Sequence, residues 1–191
     1  MRAIPPWLNP YGGTVLIVGS APCVFDDVAA AEALGPCHRF LINGAALLFE
    51  RAEHWLIGHG EKAPMFKGAR AAKFKTSIPF IHASVRGDTN PAHFTHVWEG
   101  VSTGGTSAWK AVRIAKGMGY ERIILCGCPI DDSGYAPGES KGVGHSCARI
   151  GKGEGRMYAN YRRTFAVRAK GEGHNVFSMS GYSRDLLGAP C

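Results

Sequence analysis

The 191-residue chain predicts an α/β fold: a single doubly wound, Rossmann-like, mostly parallel sheet with helices on both faces. Three features carry that prediction. Short apolar runs alternate with helical patterns along the chain. The runs are continuously apolar instead of alternating, as in strands buried on both faces. Most of them stop at Gly, Asn or Ser, residues that turn the chain.

Each element follows in order. Residues 1–12 are Pro-rich and predict an irregular segment. "TVLIV", 14–18, is a buried strand. The turn Gly19, Ser20, Ala21, Pro22 leads into a helix over 24–34. Asp26 and Asp27 sit early, where the helix dipole favours acids, and Gly35 stops it. "HRFLIN" is a second strand, "AALLFERA" a short helix and "HWLIG" a third strand. Residues 73–84 and 93–99 are strand-like. Over 102–119, Ala108, Ala111, Val112 and Ala115 form one apolar helical stripe. "RIILCG" is a buried strand. Residues 127–153 are Gly-rich and polar and are expected to be an active-site loop. A helix follows with Tyr158, Tyr161, Phe165 and Ala169 on one face, then the strand "NVFSMS" and a short helix at "SRDLL". The length suits one domain over 1–191.

Composition excludes several classes. No apolar run reaches the ~20 residues that cross a bilayer. The start has no apolar signal-peptide region. Six cysteines without a CxxC pair point to reduced thiols and a cytoplasmic protein, not a disulfide framework. Cys128, His145 and Cys147 match no common zinc spacing. The net charge of +7 is uneven: eight Lys/Arg against two Glu fall between Glu139 and Lys170. That stretch is either a solvated face or a surface that attracts an anion.

In parallel sheets ligands bind beyond the carboxyl ends of the strands. Gly19 permits a sharp turn, and the helix after it offers free N–H groups. Gly-Ser-Ala-Pro is neither a GxGxxG fingerprint nor a P-loop, so dinucleotide binding is weakly supported. In "STGGTS", Ser102, Thr103 and Thr106 can cap a helix or donate hydroxyls. Two Gly in a first turn cost helix stability, which favours a ligand-facing turn. Asn43 either contacts a base or ribose or makes an Asn-Gly turn. Asp131 and Asp132 could hold a metal or cap a loop. His145 in "KGVGHSCAR" is a candidate general base, with His59, His93 and His96 as competitors.

"VLIVGSAP", "FLINGA" and "VSTGGTSAWKAVRIAKGMGYERIILCGCPIDDSGY" resemble segments of the bacterial lipooligosaccharide sialyltransferases, and "HNVFSMSGYSRDLLG" their final strand and helix. The core is also similar to Maf-type flagellin-modifying proteins, to archaeal pterin diphosphokinase-like proteins and to small proteins of phage genomes. The resemblance implies a nucleotide pocket lined by Gly19, Ser20, Ala21, Asn43, Ser102, Thr103 and Gly104. It places Tyr135 at the leaving phosphate and His145 as base on an acceptor hydroxyl, with Arg149 and Lys152 nearby as anion-binding groups. It implies transfer of a sugar from a nucleotide donor, CMP-linked in those enzymes, to a saccharide or nucleic-acid acceptor. No cofactor is required, and an oligomer is compatible. Two alternatives stand beside it. One is a magnesium-dependent diphosphotransferase with Asp131 and Asp132 as metal ligands. The other is a non-catalytic nucleotide- or nucleic-acid-binding protein.

Overall fold

A computed structural model describes residues 12–84, 90–99, 101, 106–131, 136 and 155–191, with side chains from 159 onward in the last segment. Seven parallel strands form one sheet: β1 (Thr14–Val18), β2 (Cys37–Ile42), β3 (His54–Leu56), β4 (Phe80–Ser84), β5 (His96–Trp98), β6 (Arg122–Cys126) and β7 (Val176–Ser178). Their spatial order is β5-β4-β3-β2-β1-β6-β7. The chain winds outward from β1 to β5, crosses back to β6 and continues to β7. The direction therefore switches between β1 and β6, whose residues pair from Thr14–Arg122 to Val18–Cys126.

Among the described residues five α-helices cover the two faces: α1 (Val24–Glu32), α2 (Ala63–Lys73), α3 (Ser107–Gly117), α4 (Gly155–Glu172) and α5 (Gly181–Leu187). Alternate residues of each strand serve opposite layers. Leu16, Val18, Leu41, Trp55 and Ile57 pack with Val24 and Val28 of α1 and Phe66 of α2. Val15, Ile17, Phe40 and Leu125 pack with Trp109, Val112 and Ile114 of α3 and Phe165 of α4. The doubly wound expectation holds, and the sheet is parallel throughout. Among the described residues no helix is long and apolar enough to cross a membrane.

Two elements differ from the sequence reading. The short helix after β2 is a 3-10 turn that begins at once, at Asn43–Leu47. Helix α2 has no counterpart in the expected elements. Its buried positions are Ala63, Phe66 and Arg70, and an arginine at a core-facing position interrupts the apolar stripe that would reveal it.

A chain of polar groups, buried at His82, His54 and Tyr120 and running out to half-buried Trp98 and exposed His38, crosses the α3 layer. Trp98 Nε1 donates to His82 Nδ1 at 3.2 Å. His82 Nε2 meets His54 Nδ1 at 3.1 Å, His54 Nε2 meets the Tyr120 hydroxyl at 2.9 Å, and that hydroxyl meets His38 Nδ1 at 2.6 Å. An indole N–H can only donate. His82 Nδ1 must therefore accept, which fixes donation onward from His82 to His54, from His54 to Tyr120 and from Tyr120 to His38. Both inner imidazoles are neutral. Burial, reinforced by His38, lowers the His54 pKa to about 4. Burial, with His54 and His96, lowers that of His82 to about 3. Burial also holds the Tyr120 proton more firmly than usual.

The unfolded chain binds protons at both histidines near pH 6.5, and the folded chain refuses them until about 4 and 3. Stability is therefore full above pH 7 and falls as pH drops below 6.5. Linkage gives a loss of about 2 kcal/mol per histidine by pH 5. Urea unfolding at pH 7, 6 and 5 should show this decline, and His82→Gln should flatten it. A free energy of unfolding that is constant from pH 7 to 5 would contradict the neutral assignment.

Candidate functional site

The carboxyl edge of the sheet gathers the turns after β1, β2, β3, β6 and β7. Gly19 lies in the first of them. Its N–H donates to the Cys126 carbonyl at 2.8 Å, and the Ala21 N–H donates to the Gly127 carbonyl at 3.1 Å. A Cβ on Gly19 would sit 2.3 Å from the Gly127 oxygen and 2.6 Å from Cys128 Sγ. Glycine is needed here because the β1 and β6 turns touch. Ser20 lies beside it, half-buried, and its carbonyl accepts from the Ala136 N–H at 2.7 Å.

Asp27 holds the same turns together. Its carboxylate is buried and Oδ2 accepts from the Gly127 N–H at 2.8 Å, from Ser180 Oγ at 2.7 Å and from Cys23 Sγ at 3.4 Å. Burial raises the Cys23 thiol pKa, which the Ser180 hydroxyl partly offsets. Ser183, fully buried, donates to the Cys128 carbonyl at 2.7 Å and meets Ser178 Oγ at 2.8 Å. Sequence reasoning took Asp27 for a dipole-compensating acid. The signal for burial was its phase, because Val24, Asp27, Val28 and Ala31 form one stripe.

On the other side of β1, Asn43 adopts φ +47°, a backbone region in which Asn is enriched. Its Oδ1 accepts from the Gly58 N–H at 2.8 Å and its Nδ2 donates to Ser107 Oγ at 3.3 Å. Trp55 Nε1 donates to its carbonyl at 3.0 Å. Asn43 thus joins the ends of β2 and β3 to the start of α3. One Nδ2 hydrogen and one Oδ1 lone pair are left over from these bonds.

Thr106 caps α3, its hydroxyl accepting from the Trp109 N–H at 3.3 Å. The described helix begins at Ser107, and the Gly104–Gly105 pair of the expected first turn lies outside the described residues. Lys110, in the first turn of α3, is buried and its Nζ reaches Ser84 Oγ, the last residue of β4, at 3.5 Å. No sequence signal separated this lysine from its solvated neighbours; only the ladder β3-β4-β5 brings Ser84 beneath α3.

Gly19, Ser20, Ala21 and Asn43 thus share one edge, with the α3 start. Ser102, Thr103, Gly104, Asp132, Tyr135, His145, Arg149 and Lys152 lie outside the described residues. Asp131 is half-buried after β6. Among the described residues, no group of three or more His, Cys, Asp or Glu is placed to hold a metal. His93 and His96 lie at β5, away from the β1–β6 crevice. His59, exposed after β3, pairs with Glu61 at 3.2 Å. Part of the basic stretch serves packing: Arg162 donates to the Ile130 carbonyl at 3.1 Å, and Arg168 meets Glu172 at 2.9 Å. Glu172 also takes Arg113 and the Trp109 indole, which with Arg168 lower its pKa to about 2.

No protein-family model matches the chain, and no curated protein does. Among solved structures it is similar to the sialyltransferase CST-II, a tyrosine-to-phenylalanine variant in complex with CMP. The identity is 12%, the TM-score 0.61, and the match covers 92% of this chain and 85% of that one. The two proteins share a fold.

Asp27→Ala strips three donors of their acceptor and should destabilise the protein by about 2–4 kcal/mol. Asp27→Asn keeps an acceptor oxygen and should cost about half of that. Urea unfolding at pH 7 measures both. A loss within about 0.5 kcal/mol for Asp27→Ala, the range of surface substitutions, would show that the carboxylate holds nothing.

Proposed function

We propose that this chain is a glycosyltransferase-like enzyme that takes a sugar from a CMP-linked donor. The observation that carries the reading is the match to a CMP-bound sialyltransferase over 92% of the chain. The carboxyl-edge crevice beside β1 and β6 supports it, since ligands of doubly wound sheets bind there.

In this reading Gly19, Ser20, Ala21 and Asn43, with Ser102, Thr103 and Gly104, line the nucleotide pocket. The phosphate lies nearer α3 than α1. The first turn of α1 carries Asp26 and Asp27, whereas that of α3 carries no acid. The α3 start offers positive dipole charge, and Lys110 adds a cation. His145 takes the proton of the acceptor hydroxyl as its oxygen bonds to the anomeric carbon. The bond from that carbon to the phosphate oxygen breaks, and its electron pair leaves with CMP. Tyr135, Arg149 and Lys152 stabilise the departing phosphate. Nothing in these roles calls for magnesium.

A thermal-shift panel of CMP, UDP, GDP, ADP and ATP, with and without magnesium, tests the reading. CMP at 100 times its dissociation constant should stabilise by about 2.7 kcal/mol without magnesium. Lys110→Met should weaken CMP about tenfold, the worth of one charge-assisted contact. His145→Ala should leave CMP affinity intact and slow transfer about 10²–10⁴-fold. A shift only with ATP and magnesium would replace this function with diphosphate transfer.

A further inference from the structure

Among the described residues three other than glycine adopt a positive φ: Asn43, Asn175 and Ile130, the last at +57°. Asparagine tolerates that region, whereas a β-branched side chain there is a genuine outlier. Pro129 precedes Ile130. Proline followed by a positive φ is the order of a type II turn, which calls for Gly or Asn at the second place. A residue that breaks its local rule is held in place by its surroundings, and such residues cluster at functional sites.

Ile130 is held from three directions. Its half-buried side chain packs against the core layer of α3. Its carbonyl accepts from Arg162 Nε of α4 at 3.1 Å, and the Arg162 guanidinium is seated over the Tyr182 ring of α5 at 5.1 Å. The two carbonyls before it are also taken. The Ser183 N–H donates to that of Pro129 at 3.3 Å, and Ser183 Oγ donates to that of Cys128 at 2.7 Å. Successive carbonyls from 128 to 130 are thus bound by α4 and α5. Gly181 makes the contact close, since a Cβ there would sit 2.4 Å from Pro129 Cβ.

This turn borders the candidate pocket. Before Ile130, Gly127 touches Gly19. After it, the buried Ala136 donates its N–H to the Ser20 carbonyl at 2.7 Å. The chain therefore leaves the β1 turn at Gly127, is gripped over 128–130 and meets the β1 turn again at Ala136. An ordinary negative φ at Ile130 would redirect the chain beyond it and take its carbonyl off Arg162.

We propose that Ile130 is a positioning residue of the site. Helices α4 and α5 hold it in the left-handed turn so that the chain beyond it returns to Ser20 at Ala136 and forms that side of the pocket. Glycine would allow the same φ, but it would not anchor the turn in the core. Arg162 acts through Ile130, which gives one cation of the basic stretch a task at the site. The effect on CMP rests on the nucleotide reading; the hold on Ala136 does not.

Ile130→Gly and Arg162→Ala in the full chain test this, with Ile130→Val as the variant that keeps the branched side chain. Ile130→Gly should leave the urea midpoint unchanged or raise it, because relief of the turn offsets the lost packing. At an unstrained half-buried position the same change would lower it. In both Ile130→Gly and Arg162→Ala the Ala136 amide should exchange with deuterium about tenfold faster relative to the amides of β1, and CMP should bind about tenfold more weakly. Ile130→Val should match the wild type in both. A lowered midpoint in Ile130→Gly would show that the turn is unstrained and overturn the proposal. Ala136 exchange or CMP affinity that stays at the wild-type value in both variants would show that the turn positions nothing and overturn it as well. A wild-type chain that binds no CMP would remove the nucleotide reading instead, and the midpoint and the Ala136 exchange would still decide this one.

Discussion

One buried carboxylate sets the geometry of the carboxyl edge. Backbone ladders hold β1 to β6 and β6 to β7 only as far as the strands run. Beyond them three turns must be fixed against one another, and they come from residues 23, 127 and 180, far apart in the chain. Asp27 reaches all three from the first turn of α1. A lone buried charge would be prohibitive; one that accepts several hydrogen bonds is tolerated and becomes directional. With the turns so placed, Gly19 lies against Gly127, and Ser183 reaches the Cys128 carbonyl. The switch point is therefore a shaped floor, whose form depends on a group that need not touch any ligand.

The other half of the sheet is pinned differently. From β2 outward to β5 the strands shorten to three residues in β3 and β5, and short edge strands have little ladder to hold them. The chain from Trp98 through His82 and His54 crosses these strands, passes through Tyr120 just before β6 and ends on His38 of β2. Because the indole can only donate, one proton arrangement satisfies every member. Burial keeps the imidazoles neutral, so no charge has to be compensated in the apolar layer. The sheet is thus fastened at its carboxyl edge by an anion and across its outer strands by neutral rings.

What was legible in the sequence follows from which forces act locally. The strands β1, β2 and β6 are continuous apolar runs because both faces are covered, and their bounds were within a residue or two of those found. Gly19 and Asn43 were visible as turn residues at strand ends. Their reasons were not: Gly19 is needed for contact with Gly127, and Asn43 bridges to Ser107, both set by tertiary approach. Helix α2 was hidden because Arg70 occupies the position where the stripe needed an apolar residue, and Gly68 weakened the pattern further. Asp27 was misjudged because a position in a first turn has a ready local explanation, and that explanation masked its phase on the buried stripe. His54 and His82 carried no signal in the sequence, and only the pairing of β3 with β4 brings them together, buried and bonded to each other.

The two helix starts that face the candidate pocket are electrostatically unequal, and that inequality gives the proposed site a direction. Helix α1 already has a carboxylate against its first turn, satisfied by neighbouring donors, and a second in Asp26. Another anion there would meet like charge at short range, with little water to screen it. Helix α3 begins without an acid, is capped by a neutral hydroxyl, and holds Lys110 among buried neighbours. Its N-terminal dipole and that ammonium both favour negative charge. A nucleotide lying across the edge would therefore turn its phosphate toward α3 and its neutral ribose and base toward the Gly19 turn. The same carboxylate that shapes the floor would orient the ligand by repulsion, so Asp27 links the stability of the fold to the polarity of the site.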